Sequence, residues 1–241
     1  MSGHSKWATI KRKKAATDAK RGKIFTTIIK EITIAAREGG GDADSNPRLR
    51  QAVSNAKSAN MPSDNITRAI KKGTGELPGV TYEEVSYEGY GPAGVAIFME
   101  CLTDNKQRTV AEIRHLISKY GGNLGENGSV SWMFDKKGQI TLKANEYEED
   151  VVFEAALEAG AEDFEAADNV FIVSTDSSEI MSVRDALDSQ GYEIESANID
   201  MVPKNLHNVE SDKEQSVITL LEALEDHDDI KAVYTNFDSV E

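Results

Sequence analysis

Residues 139–176 read QITLKANEYEEDVVFEAALEAGAEDFEAADNVFIVSTD. A strand near Gln139–Lys143 is followed by a helix near Glu146–Glu158, which Gly160 punctuates. Two further strands follow, near Glu162–Glu165 and Val170–Thr175. Downstream, a helix near Ser178–Ser189, a break at Gly191 and a strand near Glu193–Val202 complete a βαββαβ order. That order is the ferredoxin-like split βαβ unit.

On either side lie pieces that cannot fold alone. Upstream, Tyr82–Tyr87 and Val95–Leu102 read as strands, with Val95, Ile97, Met99 and Cys101 alternating onto one face. A helix capped by Thr103 or Asp104 carries Val110, Ile113, Leu116, Ile117 and Tyr120. A strand at Val130–Phe134 then enters a turn at Asp135-Lys136-Lys137-Gly138. Downstream remain one helix (Val217, Leu220, Leu221, Leu224) and one strand, Ile230–Phe237. A lone α–β pair cannot bury its apolar face, and the upstream block is short of a helix layer. Each completes the other, so the sequence predicts a discontinuous α/β domain, residues 80–137 plus 205–241, with the βαββαβ domain, residues 138–204, inserted.

The N-terminal third differs. Phe25, Ile28, Ile32, Ala35 and Ala36 recur at helical spacing until Gly39-Gly40-Gly41. A second helix opens with Asn46 as cap and Pro47 in the first turn. A third starts near Pro62-Ser63 and ends at Lys71-Lys72-Gly73. Residues 24–79 thus form an all-α domain, and residues 1–23 a basic arm expected to be disordered or loosely helical up to residue 16. The fold class is α+β and multidomain: a small all-α domain, then two α/β domains of ferredoxin-like type, one inserted in the other.

Charge divides the chain along the same line. The first 75 residues hold sixteen Lys and Arg against six acids, a net +10; the remainder holds eleven against thirty-six, a net −25. A cationic end on an anionic body orients the molecule towards a polyanion. Lys6, Lys11, Arg12, Lys13, Lys14, Lys20, Arg21 and Lys23 are phosphate partners, His4 can contact phosphate or a base, and Trp7 can stack on an unpaired base. The closely spaced second and third helices allow a helix-turn-helix that presents Ser63, Asn65, Thr67 and Arg68 to a major groove, although Asp64 at its leading end opposes phosphate.

Other chemistries fail on inspection. Gly89, Gly91 and Gly94 spell G-x-G-x-x-G, but the loop joins two strands and holds Pro92, so a hairpin turn is the better reading than a pyrophosphate cradle. His4, His115, His207 and His227 lack partners at metal or triad spacing, and no carboxylate pair stands out as acid and base. No cofactor, metal or catalytic residue is expected. One cysteine, Cys101, excludes an internal disulfide framework, and no apolar run approaches the roughly 20 residues of a membrane span. The expected location is the cytoplasm, with no membrane partner.

The arm and the helices behind it resemble the YebC/PmpR family. The resemblance is carried by Gly3-His4-Ser5-Lys6-Trp7, Asp18-Ala19-Lys20-Arg21-Gly22-Lys23, Asn46-Pro47-Arg48-Leu49 and Asn60-Met61-Pro62. It continues through Tyr87-Glu88-Gly89-Tyr90-Gly91-Pro92, Thr103-Asp104-Asn105, Gly121-Gly122-Asn123-Leu124 and Val130-Ser131-Trp132-Met133-Phe134. Thr27 stands where the family commonly has lysine. The resemblance implies three domains and supports the discontinuous middle one; Arg48 also belongs to the expected nucleic-acid-binding set. It implies a non-enzymatic regulator of gene expression: a transcriptional regulator on promoter DNA or, alternatively, a ribosome-associated translation factor on ribosomal or messenger RNA, since mitochondrial relatives resemble translational activators and some bacterial members are associated with the ribosome and relief of stalling. The charge pattern with its single aromatic suits irregular RNA; the family description places DNA first.

Overall fold

The structure is a computed structural model that describes residues 7, 19–144, 147–167 and 169–239, with side chains at residue 7 and from residue 22 onward. It falls into two compact units, one spanning Phe134–Val202 and the other joining the chain up to Met133 with that from Pro203 on.

The larger unit begins with helices α1 (Ala19–Gly39), α2 (Pro47–Ser58) and α3 (Ser63–Gly73). The Asn46 side chain accepts the Leu49 N–H at 3.1 Å while its amide donates to Ala35 O and Gly40 O. One residue thus caps α2 and ties it to the end of α1. The shared core is Ile32, Ala35, Ala36, Leu49, Ala52, Ala56, Met61, Ile66 and Ala69. Both α2 and α3 pack chiefly on α1, whereas a helix-turn-helix needs its two helices packed on each other. Gly73 serves a close approach: a methyl there would sit 2.5 Å from Thr33 O and 2.7 Å from the Ala36 Cβ.

Strands β1 (Glu83–Tyr90) and β2 (Ala96–Thr103) form an antiparallel hairpin, and its glycine-rich connection is a 3-10 turn at Pro92–Gly94. The G-x-G-x-x-G stretch is therefore a hairpin turn, with no helix N-terminus for a pyrophosphate. Helix α4 (Lys106–Lys119) is capped by Asn105, whose side chain accepts the Arg108 N–H; neither Thr103 nor Asp104 holds that place. The short strand β3 (Asn123–Leu124) pairs with β1.

The smaller unit contains β4 (Phe134–Lys143), α5 (Glu149–Ala159), β5 (Asp163–Ala167), β6 (Val170–Asp176), α6 (Ile180–Ser189) and β7 (Ile194–Pro203). Its sheet order β5-β6-β4-β7 is the ferredoxin-like arrangement. Ile140, Leu142, Val152, Ala156, Phe171, Val173, Val183 and Leu187 form its core. The turn expected at Asp135–Gly138 is instead part of β4, with Lys137 opposite Asp176 and Gly138 opposite Thr175. Glycine is needed there for contact: a methyl on Gly138 would overlap Thr175 Oγ1 and come within 2.8 Å of Ile180 Cβ.

The chain then returns to the larger unit through β8 (His207–Val209), α7 (Ser211–Glu225), β9 (Ile230–Thr235) and β10 (Phe237–Ser239). Strand β9 pairs antiparallel with β2, giving the order β3-β1-β2-β9, and β10 pairs parallel with β8. The apolar faces of α4, α7 and the sheet meet in one core that includes Val95, Ile97, Met99, Ile113, Ile117, Val217, Leu220, Leu221, Leu224 and Phe237.

Candidate nucleic-acid interface

Trp7 belongs to that last core and is only 4% exposed. The expected stacking role is therefore corrected: a ring enclosed by apolar side chains offers no face to a base, and burial of so large a surface is strongly favourable. Its Nε1–H has no acceptor among the described residues. His4, Lys6, Lys11, Arg12, Lys13 and Lys14 lie outside the described residues, as do the side chains of Lys20 and Arg21 at the start of α1.

Two further expected nucleic-acid contacts are already engaged within the protein. Lys23 donates to the backbone carbonyls of Glu225 and, at 2.8 Å, His227. It caps the C-terminus of α7, where unpaired carbonyls and the helix dipole favour a cation. Arg48 pairs with Glu31 at 2.9 Å, Glu38 at 2.7 Å and Glu84. Burial works against its charge, but Glu31 and Glu84 outweigh it and hold the guanidinium more firmly protonated than usual. Glu31 in turn is desolvated, yet Lys231 and Arg48 keep it below the usual carboxylate range. Arg48 thus braces the helical region against β1, its guanidinium engaged by carboxylates of this chain.

The deepest ion pair serves the same purpose. Lys30, 6% exposed, meets Asp229 at 3.0 Å and donates to Leu102 O and Asp228 O. Asp229 also accepts from Arg108, Thr109 and Thr103. Burial pushes the Asp229 carboxyl up, but the bonds from Arg108, Lys30 and Thr109 and the Lys30 charge win and hold it well below its ordinary value. His227 Nδ1 accepts the Asp229 N–H, and its Nε2 lies 3.0 Å from Glu112. Glu112, His227 and Asp229 come close enough to hold a cation, but protein groups already engage the donor atoms of His227 and Asp229. A shallow depression lined by Lys119, Tyr120, Gln215, Ser216 and Thr219 holds no acid–base pair.

Three exposed cations lie on α3. Arg68 is exposed and forms no ion pair with a described residue. Lys71 and Lys72 follow at i+3 and i+4, on the same solvent face, equally exposed and unpaired among the described residues. The opposite face of α3 buries Ile66 and Ala69 on α1, so the three cations are carried on a fixed frame. By sequence alone Lys71 and Lys72 read only as helix-terminal charges; their spacing from Arg68 is the signal that they share its face. Glu88 holds a separate loop: its buried carboxylate accepts the N–H groups of Gly128, Val130 and Ser131, which lower its pKa despite the upward push of burial.

These features define a modular α+β protein whose N-terminal helical region carries exposed cations on α3, unpaired among the described residues, while carboxylates pair with Lys30 and Arg48. The chain belongs to the TACO1/YebC family: residues 5–76 match the family's N-terminal domain, and residues 82–237 its second and third domains. It is 59% identical over 239 residues to a probable transcriptional regulatory protein of Syntrophus aciditrophicus, covering 99% of this chain and 96% of that one. It is 56% identical over 238 residues, with the same coverage, to a probable transcriptional regulatory protein of Desulforapulum autotrophicum. The crystal structure of a conserved hypothetical protein from Aquifex aeolicus superposes with a TM-score of 0.89 at 47% identity, covering 95% of this chain and 94% of that one. Among the described residues no helix is long and apolar enough to cross a membrane.

Proposed function

We propose that this chain is a non-enzymatic, cytoplasmic regulator of transcription that binds promoter DNA. Its contacts come from the cationic face Arg68, Lys71 and Lys72 together with His4, Lys6, Lys11, Arg12, Lys13, Lys14, Lys20 and Arg21 of the N-terminal segment. The observation that carries this reading is the division of labour among the cations: Lys23 is held by backbone carbonyls and Lys30 and Arg48 by carboxylates, whereas those of α3 are exposed and unpaired among the described residues. The names of the relatives support a transcriptional role. The alternative, a ribosome-associated RNA-binding translation factor, rests on the cationic end of an acidic body and on the resemblance to translational activators; a base-stacking aromatic would favour it, and Trp7 is buried.

The test is crosslinking in cells followed by sequencing of the bound nucleic acid, with Arg68→Ala/Lys71→Ala/Lys72→Ala as the comparison. Promoter-centred peaks that weaken in the triple variant are expected. Enrichment at ribosomal RNA without promoter peaks would overturn the transcriptional reading in favour of the translational one.

A further inference from the structure

The unit Phe134–Val202 holds eighteen acids and four cations, a net −14 that nearly equals the charge of the whole chain. Three of its four cations are engaged by acids: Lys137 with Glu162, Lys143 with Glu193 and Arg184 with Asp185. A surface of that sign repels nucleic acid. It nevertheless exposes apolar side chains. Phe153 and Leu157, one turn apart on α5, are 42% and 48% exposed. Phe153 packs edge-to-face on Phe164 of β5, with ring centroids 5.6 Å apart. Strand β5 is the outermost strand of its sheet and pairs with β6, and among the described residues no strand pairs with its other edge.

Beside the apolar column runs an acidic one. Asp150, Glu154 and Glu158 follow at i, i+4 and i+8, exposed and without an ion pair among the described residues. Like charges at that spacing destabilise a helix by about 0.2–0.5 kcal/mol per pair. Glu158 also lies in the last turn, which has no basic residue and where the helix dipole disfavours an anion. The helix therefore maintains an unfavourable charge column next to exposed apolar groups and a strand edge unpaired among the described residues, and a cationic partner would relieve all three.

We propose that α5 and β5 form a docking surface for an extended, cationic protein segment that adds to the sheet as a strand beside β5. Its alternate apolar side chains seat on Phe153 and Leu157, and its Lys or Arg side chains meet Asp150, Glu154 and Glu158. Strand addition supplies backbone affinity, and the alternating side chains supply selectivity. Charge decides the kind of segment: another copy of this acidic unit is repelled, whereas a basic protein tail is attracted.

The experiment uses the isotope-labelled full chain and a short synthetic peptide of alternating lysine and leucine, followed by amide chemical shifts. Shifts confined to Asp163–Ala167 and the exposed side of α5 are expected, with slowed amide exchange along β5. Phe153→Ser/Leu157→Ser should weaken binding roughly ten- to hundred-fold, and both residues are exposed enough for the fold to survive. Glu154→Lys/Glu158→Lys should weaken it with a reduced salt dependence. An equal response to a lysine–serine peptide would overturn the proposal in favour of general charge attraction. Concentration-dependent shifts at the same residues without peptide would overturn it in favour of self-association, and the absence of any shift would overturn it outright.

Discussion

Replacing Asp229 with alanine removes the acceptor on which Lys30, Arg108, Thr103 and Thr109 converge. Lys30 would stay almost fully buried, with Leu102 O and Asp228 O, both at 3.0 Å, and the face of the Tyr82 ring, 5.5 Å away, left among the described residues to solvate its charge. Breaking a buried pair from one side costs about 3–5 kcal/mol, because an uncompensated charge is left in low dielectric. For a unit of this size each kcal/mol lowers the melting temperature by about 2–4 °C, so a fall of about 6–20 °C is expected. Differential scanning calorimetry of the full chain reads it, with the transition of the unit Phe134–Val202 as an internal control. Lys30→Met/Asp229→Leu removes both charges and should recover most of the loss. A single-variant loss under about 1 kcal/mol would show a solvated pair of the surface kind and refute the reasoning.

Three further outcomes follow from the same physics. Asp229, Glu31 and Glu88 all titrate below their ordinary values, so their stabilisation is complete above an unfolded carboxylate pKa of about 4 and is lost as pH falls through the folded values; melting temperatures should drop below about pH 5, and Asp229→Asn should flatten that slope. Glu88→Gln leaves backbone N–H groups of Gly128, Val130 and Ser131 short of acceptors, so hydrogen exchange there should accelerate about tenfold or more, each hydrogen bond being worth about 1–2 kcal/mol. Cys101 is buried, and that burial with the nearby Asp229 and Glu100 charges pushes its thiol up to about 12; a disulfide reagent near pH 8 should label it only as the unit unfolds, and rapid labelling of native protein would contradict the packing.

The βαββαβ order was legible because local signals marked it. Gly160 and Gly191 adopt the left-handed backbone, φ 101° and 91°, that ends helices, and Asn46-Pro47 announced its own cap. What escaped depended on distant residues. Asp-Lys-Lys-Gly reads as a turn until β6 lies beside it, when Gly138 becomes a point of contact with Thr175. Thr103 is a reasonable cap by type, but the approach of Asp229 and Thr109 claims its hydroxyl and leaves Asn105 to cap α4. The cationic end was legible from composition. Which of its charges remain unpaired among the described residues was not, because Arg48 is quenched by Glu84 and Lys23 by the end of α7, both far along the chain. Trp7 is the sharpest case: its chemistry suits a base or a core, and only the sheet and α7 decide between them.

The most direct measurement is the salt dependence of duplex DNA binding by the wild-type chain and by Arg68→Ala/Lys71→Ala/Lys72→Ala, followed by fluorescence anisotropy. Removing one phosphate-binding cation should reduce the slope of log K against log salt by about 0.9, so the triple variant should bind more weakly with a slope shallower by about 2–3. An unchanged affinity and slope, with the helical region still folded, would contradict the assignment of this face to nucleic acid.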